Sequence, residues 1–457
     1  MIKASVPFKH VATIKPSSWL LLAILVLAVA VRTYGINWDD GYLWTPHPDE
    51  RAILMKVGQL QIPPLDQVAI IFDSNKSTLN PKWFAYGGLP IYTLKLCQLI
   101  LESLPGVEIN DLRILGRALS VLADVATVWV VFKLGVSAYS HRVGVLSAAF
   151  ASIAVIHVQL SHFYTVDTLL VFFTVASIYF LIRVSKYGKL KDSLLAGMLI
   201  GFGLATKISL LPILFPFVVA HFFYLISAIE TGESRNGDLL RLVQSLIRNA
   251  VIGIAASVAA FIVVQPYVIL DWSQFLGDFT EQSEMVRRIR DYPYTRQYVD
   301  TTPYLYHLRQ LTTWGLGLPL GITACVGLLY FSFRGLGIRQ SIYYLSFGVL
   351  IPAIILIMWS NVVAIVFASV VAVVAVLISG FFRTREFRQD ALLISWVIPY
   401  FLIVGALDVK FSRYLLPVTP FLVIFASKMI WSLWDKAGAK LTLSKLVIVI
   451  MLGLLLG

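Results

Sequence analysis

Apolar runs long enough to cross a lipid bilayer recur along almost the whole of this 457-residue chain, and they limit the folds open to it. A transmembrane helix needs about 20 predominantly apolar residues, because its backbone polar groups must all be satisfied within the segment. Hydrophobic residues make up 58% of the sequence and charged residues only 14%, which is unlike a soluble domain. The sequence therefore predicts an all-α polytopic membrane protein with about 12 to 13 transmembrane helices, forming a single domain over residues 1–457.

The distribution of Lys and Arg gives this arrangement an orientation. Basic residues collect in the cytoplasmic loops of membrane proteins, and here every short basic loop falls on one side if the segment 89–104 lies in the interface as an amphipathic helix. Two long hydrophilic segments, about 35–111 and 266–311, are then extracytoplasmic. The same bias accounts for most of the net charge of +12, so we expect no nucleic-acid partner. We expect a multi-pass protein of the cytoplasmic membrane, or of the endoplasmic reticulum in a eukaryote.

The end of the chain leaves two alternatives open. The last apolar run reaches Gly457 partway through what would be a further helix. Either this last span is short or a C-terminal part is missing.

The stretch from Trp38 to Arg51 is the strongest candidate site. It holds four carboxylates, a histidine and an arginine within fourteen residues, directly after the first apolar run. Charges at a membrane edge are costly unless they face water or a ligand. Asp49 and Glu50 form its centre, although they would also suit the first turn of a helix beginning at Pro48. Adjacent helical residues point about 100° apart, so one carboxylate can face a reaction centre while the other binds a support or a cation.

Further charged residues reach the same face under this topology. Asp167 begins a helix, where a carboxylate is favourable in any case. Lys207 lies in a run that is apolar on both sides, which a structural lysine seldom does unless it snorkels. Lys410 and Arg413 are spaced to share a helical face if their turn is helical, or else they anchor the chain at the interface. Charges of both signs on one face are what a reaction on a charged, membrane-embedded substrate requires.

In these motifs the chain resembles the GT-C glycosyltransferases, specifically the phospholipid-carrier-dependent group that includes the protein O-mannosyltransferases and the lipid A aminoarabinose transferases. The similarity covers nearly the whole chain and rests on the order, spacing and common side of four short motifs. These motifs are HPDE at 47–50, the turn 161–167, GFGLATK at 201–207 and KFSRYLLP at 410–417.

The resemblance implies an inverting transfer of a monosaccharide from a polyprenyl (dolichyl or undecaprenyl) phosphate carrier to an acceptor hydroxyl on the extracytoplasmic face. It makes Asp49 the base or acceptor-positioning group, with Glu50 as its catalytic partner. Lys207 and Arg413 fall where the family supplies cations to the donor phosphate, and Lys410 is a looser match. The residues expected to support the site or to bind acceptor or sugar are His47, His162, Asp167 and Tyr414.

Unlike the eukaryotic protein mannosyltransferases, this chain has no inserted soluble domain in its outer loops. This makes a protein acceptor less favoured, but protein, lipid and glycan acceptors all remain open.

The chemistry of such a transfer requires these residue types. Departure of a polyprenyl phosphate develops negative charge on a phosphate oxygen, which fixed Lys or Arg side chains stabilise. Attack by an acceptor hydroxyl needs a carboxylate that takes its proton. The scheme requires no cofactor. A divalent metal held by Asp49, Glu50 and Asp167 is compatible with it but has no supporting ligand spacing, and Cys97 and Cys325 belong to no metal-binding motif.

Two other functions remain as alternatives. One is a secondary transporter or a flippase for lipid-linked glycans, but transporters place ionisable groups at the bilayer midplane in repeated halves, whereas these charges cluster at one surface. The other is a GT-C enzyme that transfers an oligosaccharide or polymerises glycans through a similar site with a larger groove.

Overall fold

The computed structural model describes residues 16–109, 111–231, 239–334, 336–359 and 385–436, together with 364, 367–368, 370–372 and 374–375. All regular structure in these residues is helical, as the sequence predicts. The predicted run that ends at Gly457 lies outside the described residues.

The described helices differ widely in length, from one turn in α11 to seven turns in α4. The α-helices are α1 Pro16–Thr33, α2 Pro48–Gln59, α3 Gly88–Glu102, α4 Leu112–Ala138, α5 His141–Ile153, α6 Val155–Ser161, α7 Val166–Tyr187, α8 Leu190–Leu204, α9 Leu214–Glu230, α10 Leu239–Val264, α11 Tyr267–Leu270, α12 Trp272–Val286, α13 Leu305–Gln310, α14 Leu318–Phe333, α15 Ile338–Leu345, α16 Ile351–Met358, α17 Arg385–Ala406 and α18 Thr419–Lys436. The 3-10 segments are Leu65–Phe72, Ile208–Ile213, Pro293–Tyr298 and Ser412–Val418, and π turns occupy Leu311–Gly315 and Ser346–Leu350.

Several of these helices are long and apolar enough to cross a membrane. The described residues contain seven such stretches, or eight if the bent pair α5 and α6 forms one span, and two shorter apolar helices lie in α1 and α14. The predicted count of 12 to 13 is therefore not confirmed. The chain is nevertheless an integral, multi-pass membrane protein.

Helix α7 lies at the centre of the bundle. It packs against α4, α8 and α9. In its most apolar 18-residue stretch 67% of the residues are buried, compared with 22% in the corresponding stretch of the peripheral α10. Asp167 is the second residue of α7 and Lys186 is next to its last. These two residues are 19 positions apart, which at the helical rise separates them by about 28 Å along the axis. Asp167, predicted to lie on the extracytoplasmic face, and Lys186 thus stand at opposite ends of one central helix.

The helix pair α5 and α6 bends by 55° at Ala154. The end of α5 leaves backbone carbonyls without intrahelical donors, as every helix end does. Arg32 of α1 donates to two of them, to Ser152 O at 2.7 Å and to Ala151 O at 3.1 Å. A cation at a helix C-terminus also interacts favourably with the helix dipole, so Arg32 stabilises the break.

The same arginine belongs to a buried polar chain through the bundle. Arg32 Nε lies 2.7 Å from Asp124 Oδ2, and Asp124 Oδ1 lies 2.7 Å from His157 Nδ1. His157 Nε2 then contacts Thr419 Oγ1 at 2.7 Å. The chain links α1, α4, α6 and α18, and it fixes the start of α18 directly after the turn that carries Arg413.

The two long hydrophilic segments, about 35–111 and 266–311, are named here the first and second outer segments for the side predicted for them. They are joined to each other and to the loop at 407–411. Asn80 Nδ2 donates to Asp271 Oδ2 at 2.7 Å. The carbonyl of Val286, the last residue of α12, accepts from the backbone amides of Asp408 and Val409, both at 3.1 Å. Helix α3, which the sequence places in the interface, packs against α2 and α4 and is not among the helices long enough to cross a membrane. Its interfacial position stays a prediction.

Candidate active site

Asp49 stands in the first turn of α2, where the sequence predicts a helix to begin. Pro48 is the first helical residue, and His47 caps the helix with its Nδ1 accepting from Glu50 N at 3.4 Å. Burial lowers the pKa of His47, although the nearby Asp49 carboxylate opposes this shift. A neutral imidazole retains the lone pair that this cap needs.

Glu50 points away from Asp49 and into the protein. Its two carboxylate oxygens accept from Arg117 Nε at 2.9 Å and Arg117 Nη2 at 2.7 Å, and Oε1 also accepts from Tyr164 N at 2.8 Å. The side chain is fully buried. The prediction that Glu50 acts as a catalytic partner at the reaction centre does not fit these contacts, because the arginine takes both oxygens. Glu50 anchors α2 to α4, which is the supporting role foreseen for one member of the pair.

Arg117 also binds Asp39. The sequence analysis did not predict that Arg117 pairs with Glu50 or with Asp39. Arg117 donates to both oxygens of Asp39, at 2.7 and 2.8 Å, and to Ile36 O at 2.8 Å. Burial pushes the pKa of Asp39 upward, but Arg117 and Arg113 outweigh it and hold the pKa below its usual value. An arginine within an apolar helix needs buried partners, and that signal was present in the sequence. We call Asp39, Glu50 and Arg117 the anchoring network.

Asp49 joins a different group, which contains three other predicted site residues. Arg413 Nη2 lies 2.8 Å from Asp49 Oδ2, and Arg413 Nε lies 3.9 Å from Asp167 Oδ2. Lys207 Nζ donates to Asp167 Oδ1 at 3.1 Å. The four side chains come from α2, the start of α7, the turn after α8 and the turn before α18. We call Asp49, Asp167, Lys207 and Arg413 the four-charge cluster.

The four-charge cluster is only partly closed off and only partly satisfied. The side chains of Asp49, Lys207 and Arg413 are 17%, 15% and 15% exposed, whereas Asp167 is 2% exposed. Within the described part of the chain, Asp167 Oδ2 and Arg413 Nε have no hydrogen-bond partner. An arginine offers five donors in a planar fork that matches carboxylates and phosphates. The cluster can therefore admit an anionic oxygen.

A close backbone approach positions Lys207. Gly87 N donates to Thr206 O and Leu89 N to Ala205 O, each at 3.0 Å. A Cβ on residue 87 would stand 1.8 Å from Ala205 O, which only glycine avoids. The first outer segment is thereby hydrogen-bonded to the turn that presents Lys207.

Aromatic rings enclose the two cations. Lys207 Nζ lies 5.6 Å from the ring centre of Tyr86 and 4.9 Å from that of Tyr414, one of the predicted supporting residues. The guanidinium carbon of Arg413 lies 4.4 Å from the ring centre of Phe411. Burial, and next the Asp49 charge, hold the pKa of Tyr86 well above its ordinary value, so its hydroxyl stays protonated. Phe411 lies within the motif at 410–417 but was given no role, and Tyr86 had no signal in the sequence.

Lys410 and His162 lie outside the cluster. Lys410 Nζ donates to Asp408 O at 3.1 Å, and the helical turn begins only at Ser412, after the extended residue Phe411. The prediction that Lys410 and Arg413 share a helical face is therefore wrong. The ring nitrogens of His162 contact Val158 O at 2.8 Å and Tyr34 O at 2.9 Å, contacts that join α6 to the start of the first outer segment.

The three acids proposed for a metal do not converge. Glu50 is held by Arg117, while Asp49 and Asp167 face Arg413 and Lys207. In the described residues no group of three or more His, Cys, Asp or Glu side chains is arranged to hold a metal ion.

Two solved structures share this architecture. The oligosaccharyltransferase AglB from Archaeoglobus fulgidus, in complex with an inhibitory peptide and a dolichol-phosphate, has a TM-score of 0.53 and 13% identity, covering 96% of this chain and 54% of its own. ArnT from Cupriavidus metallidurans, bound to undecaprenyl phosphate, has a TM-score of 0.52 and 14% identity, covering 92% of this chain and 61% of its own. The chain thus spans little more than half the length of these structures. At these identities the likeness is one of fold, and this chain has the fold of both structures.

A family comparison agrees with the fold. Residues 110–269 match the family described as dolichyl-phosphate-mannose-protein mannosyltransferase, a range that includes Asp167 and Lys207. A search of curated proteins gives no match. The resemblance to carrier-dependent GT-C glycosyltransferases that the sequence motifs indicate is therefore confirmed.

Proposed function

We propose that this protein is a glycosyltransferase that moves a monosaccharide, with inversion, from a polyprenyl phosphate to an acceptor hydroxyl on the extracytoplasmic face of the membrane. The four-charge cluster carries the proposal, because it brings a part-exposed carboxylate within 2.8 Å of a part-exposed arginine, with Lys207 beside them. The lipid phosphates named with AglB and ArnT support this class of donor.

The cations act on the leaving group. The donor is a phosphodiester with one negative charge, and breaking its bond to the sugar leaves the electron pair, and a second charge, on the phosphate oxygen. Arg413 and Lys207 would stabilise that charge at a membrane surface, where low dielectric strengthens the interaction. Arg413 Nε has no hydrogen-bond partner among the described residues and only a 3.9 Å contact with Asp167 Oδ2, so it would donate to the phosphate once the guanidinium turns from Asp167.

Asp49 acts on the acceptor. As the acceptor oxygen forms its bond to the anomeric carbon, its proton passes to the Asp49 carboxylate, so the site gains one positive charge while the phosphate gains one negative charge. The net charge of the site is unchanged by the reaction. General-base assistance of this kind typically contributes about 10² to 10⁴ in rate.

The remaining residues position these groups. Asp167 holds Lys207 from the start of α7, and Glu50 holds α2 through Arg117. Neither is proposed to touch the reacting atoms.

The test is turnover by the purified full chain. We would incubate it with a panel of polyprenyl-phosphate monosaccharides and with pooled lipid, glycan and peptide acceptors, and measure release of polyprenyl phosphate. Asp49→Asn should lower release about 10² to 10⁴-fold, whereas Asp66→Asn, which changes an exposed acid of the same outer segment, should not. Unchanged release by Asp49→Asn would remove Asp49 from the mechanism, and inversion would be read from the anomeric configuration of the product.

The proposed side of the membrane has its own test. Cysteines placed at the exposed positions of Lys76 and Lys191, in a chain whose Cys97 and Cys325 are replaced by serine, would be labelled with an impermeant maleimide in intact cells. Position 76 should label and position 191 should not. The reverse pattern would place the four-charge cluster on the cytoplasmic side.

A further inference from the structure

An aromatic surface begins at the four-charge cluster and continues outward along the second outer segment. The guanidinium of Arg413 lies over Phe411, and the Phe411 ring stacks at 30° with Tyr294, with ring centres 6.5 Å apart. Tyr294 in turn stacks at 29° with Tyr292, at 5.5 Å. The edge of Tyr298 supports Phe411 at 5.4 Å. The rings thus lead from a proposed phosphate-binding arginine to the protein surface.

Tyr294 is the exposed member of this surface, and it is held in place. Tyr294 is 51% exposed, whereas the supporting Tyr298 is 6% exposed. The Tyr294 hydroxyl donates to Met285 Sδ at 3.2 Å, and the fully buried Thr295 fixes the same turn by donating to Tyr292 O at 2.7 Å. An exposed aromatic ring with a fixed orientation is pre-organised to receive a flat apolar surface.

The ordinary explanation for such tyrosines is an interfacial aromatic belt. Two observations separate Tyr294 from a belt residue. It stacks on the ring that carries Arg413, and it lies within electrostatic reach of both Asp49 and Arg413. Burial first, and then Tyr292 and Asp49, raise the pKa of its hydroxyl against the opposing charge of Arg413.

We propose that Tyr294 and Phe411 form the subsite for the transferred sugar. In this subsite the C–H face of a neutral pyranose lies on the Tyr294 ring. This rests on the proposed function. The sugar is bonded directly to the phosphate. A phosphate bound by Arg413 would therefore bring the sugar close to Phe411, because the Arg413 guanidinium lies over that ring. The face of an aromatic ring is electron-rich and attracts the electropositive C–H groups of a pyranose.

The same geometry limits the class of sugar. An acidic sugar would bring a carboxylate toward the electron-rich ring face and beside the donor phosphate, which already occupies Arg413 and Lys207, and this is unfavourable. Positive charge that develops on the anomeric carbon during transfer is stabilised by an adjacent ring face, as a cation is. The subsite therefore favours neutral sugars and supports their transition state.

The experiment compares two ligands of the purified full chain, undecaprenyl phosphate without a sugar and undecaprenyl-phosphate hexose. Tyr294→Ala should weaken binding of the sugar-bearing ligand about fivefold to tenfold. It should leave the affinity for the sugar-free ligand within about twofold of the wild type. Tyr294→Phe, which keeps the ring, should bind both as the wild type does. Tyr34→Ala removes a tyrosine that is 86% exposed on the first outer segment and serves as the matched belt control. Tyr294→Leu preserves apolar bulk if the alanine variant does not fold.

Equal weakening of both ligands by Tyr294→Ala or Tyr294→Leu would assign the ring to the lipid or to the fold and overturn the proposal. Unchanged binding of both would do the same, as would a raised KM for the acceptor with donor binding unchanged. If the wild type bound neither ligand, the proposed function itself would fail, and this outcome is separate from the others.

Discussion

The anchoring network and the four-charge cluster are both made of arginines and carboxylates, yet they differ in how completely their charges are satisfied. Arg117 donates to both oxygens of Glu50 and to both oxygens of Asp39, and these side chains are inaccessible to solvent. Arg413 has one close carboxylate contact, in a group where Asp49 and Lys207 are also partly exposed and only Asp167 is buried. A saturated buried network holds a scaffold, whereas an incomplete and accessible one can exchange a partner for a ligand.

The largest effect is expected in the anchoring network. Arg117→Met would leave Glu50 buried without its cation and Asp39 paired with Arg113 alone, and breaking a buried pair costs about 3 to 5 kcal/mol. We expect a clear fall in the thermal unfolding midpoint in detergent, partly restored when Asp39→Asn and Glu50→Gln are added. A normal midpoint combined with lost turnover would instead place Arg117 in the site and break the comparison.

A somewhat smaller effect, on activity alone, is expected in the four-charge cluster. Arg413→Ala removes a fixed cation at the proposed leaving group, and we expect turnover to fall about 10² to 10³-fold with little change in the unfolding midpoint. Arg296→Ala, which breaks an exposed pair with Asp291 in the second outer segment, is the control. Turnover within a few-fold of the wild type would contradict the proposed role of Arg413.

Acid should weaken the outer segments through His307, which is fully buried. Burial, and then the charge of Lys410, lower its pKa to about 4, while the unfolded chain retains a pKa of about 6.5. The unfolded state therefore binds the proton first, so stability is complete above pH 6.5 and falls by up to about 3 kcal/mol toward pH 4. Unfolding midpoints measured across this range should show that slope in the wild type and a shallower slope in His307→Gln. Equal slopes would exclude His307 as the cause.

The smallest effect is expected at Lys410. Because its ammonium donates to Asp408 O and does not join the four-charge cluster, Lys410→Ala should keep turnover within about threefold of the wild type, as expected for a residue outside the reacting group. A loss as large as that of Arg413→Ala would restore the role in phosphate binding that the sequence motif suggests.

The sequence could predict the meeting of Asp49, Lys207 and Arg413 because topology alone brings their segments to one membrane face. The sequence could not predict the direction in which each side chain points. Glu50 and Asp49 occupy adjacent positions of one helical turn, and only the location of Arg117 on α4 decides which carboxylate turns inward. The separation of Lys410 from Arg413 depends on the residue at which the 3-10 turn begins.

Contacts between distant segments were equally hidden. Tyr86 reaches Lys207 because Gly87 allows the first outer segment to hydrogen-bond with the turn after α8. No periodicity or motif encodes this approach. The buried chain from Arg32 to Thr419 was likewise missed, although an arginine at the end of α1 and an aspartate within α4 each signalled the need for a partner.

The most direct measurement is a structure of the purified chain with bound polyprenyl phosphate. Our account predicts that the phosphate lies within hydrogen-bonding distance of Arg413 and Lys207, with the Asp49 carboxylate on the side where the acceptor would enter. A phosphate bound elsewhere, with the Asp49–Arg413 pair still closed at 2.8 Å, would contradict it.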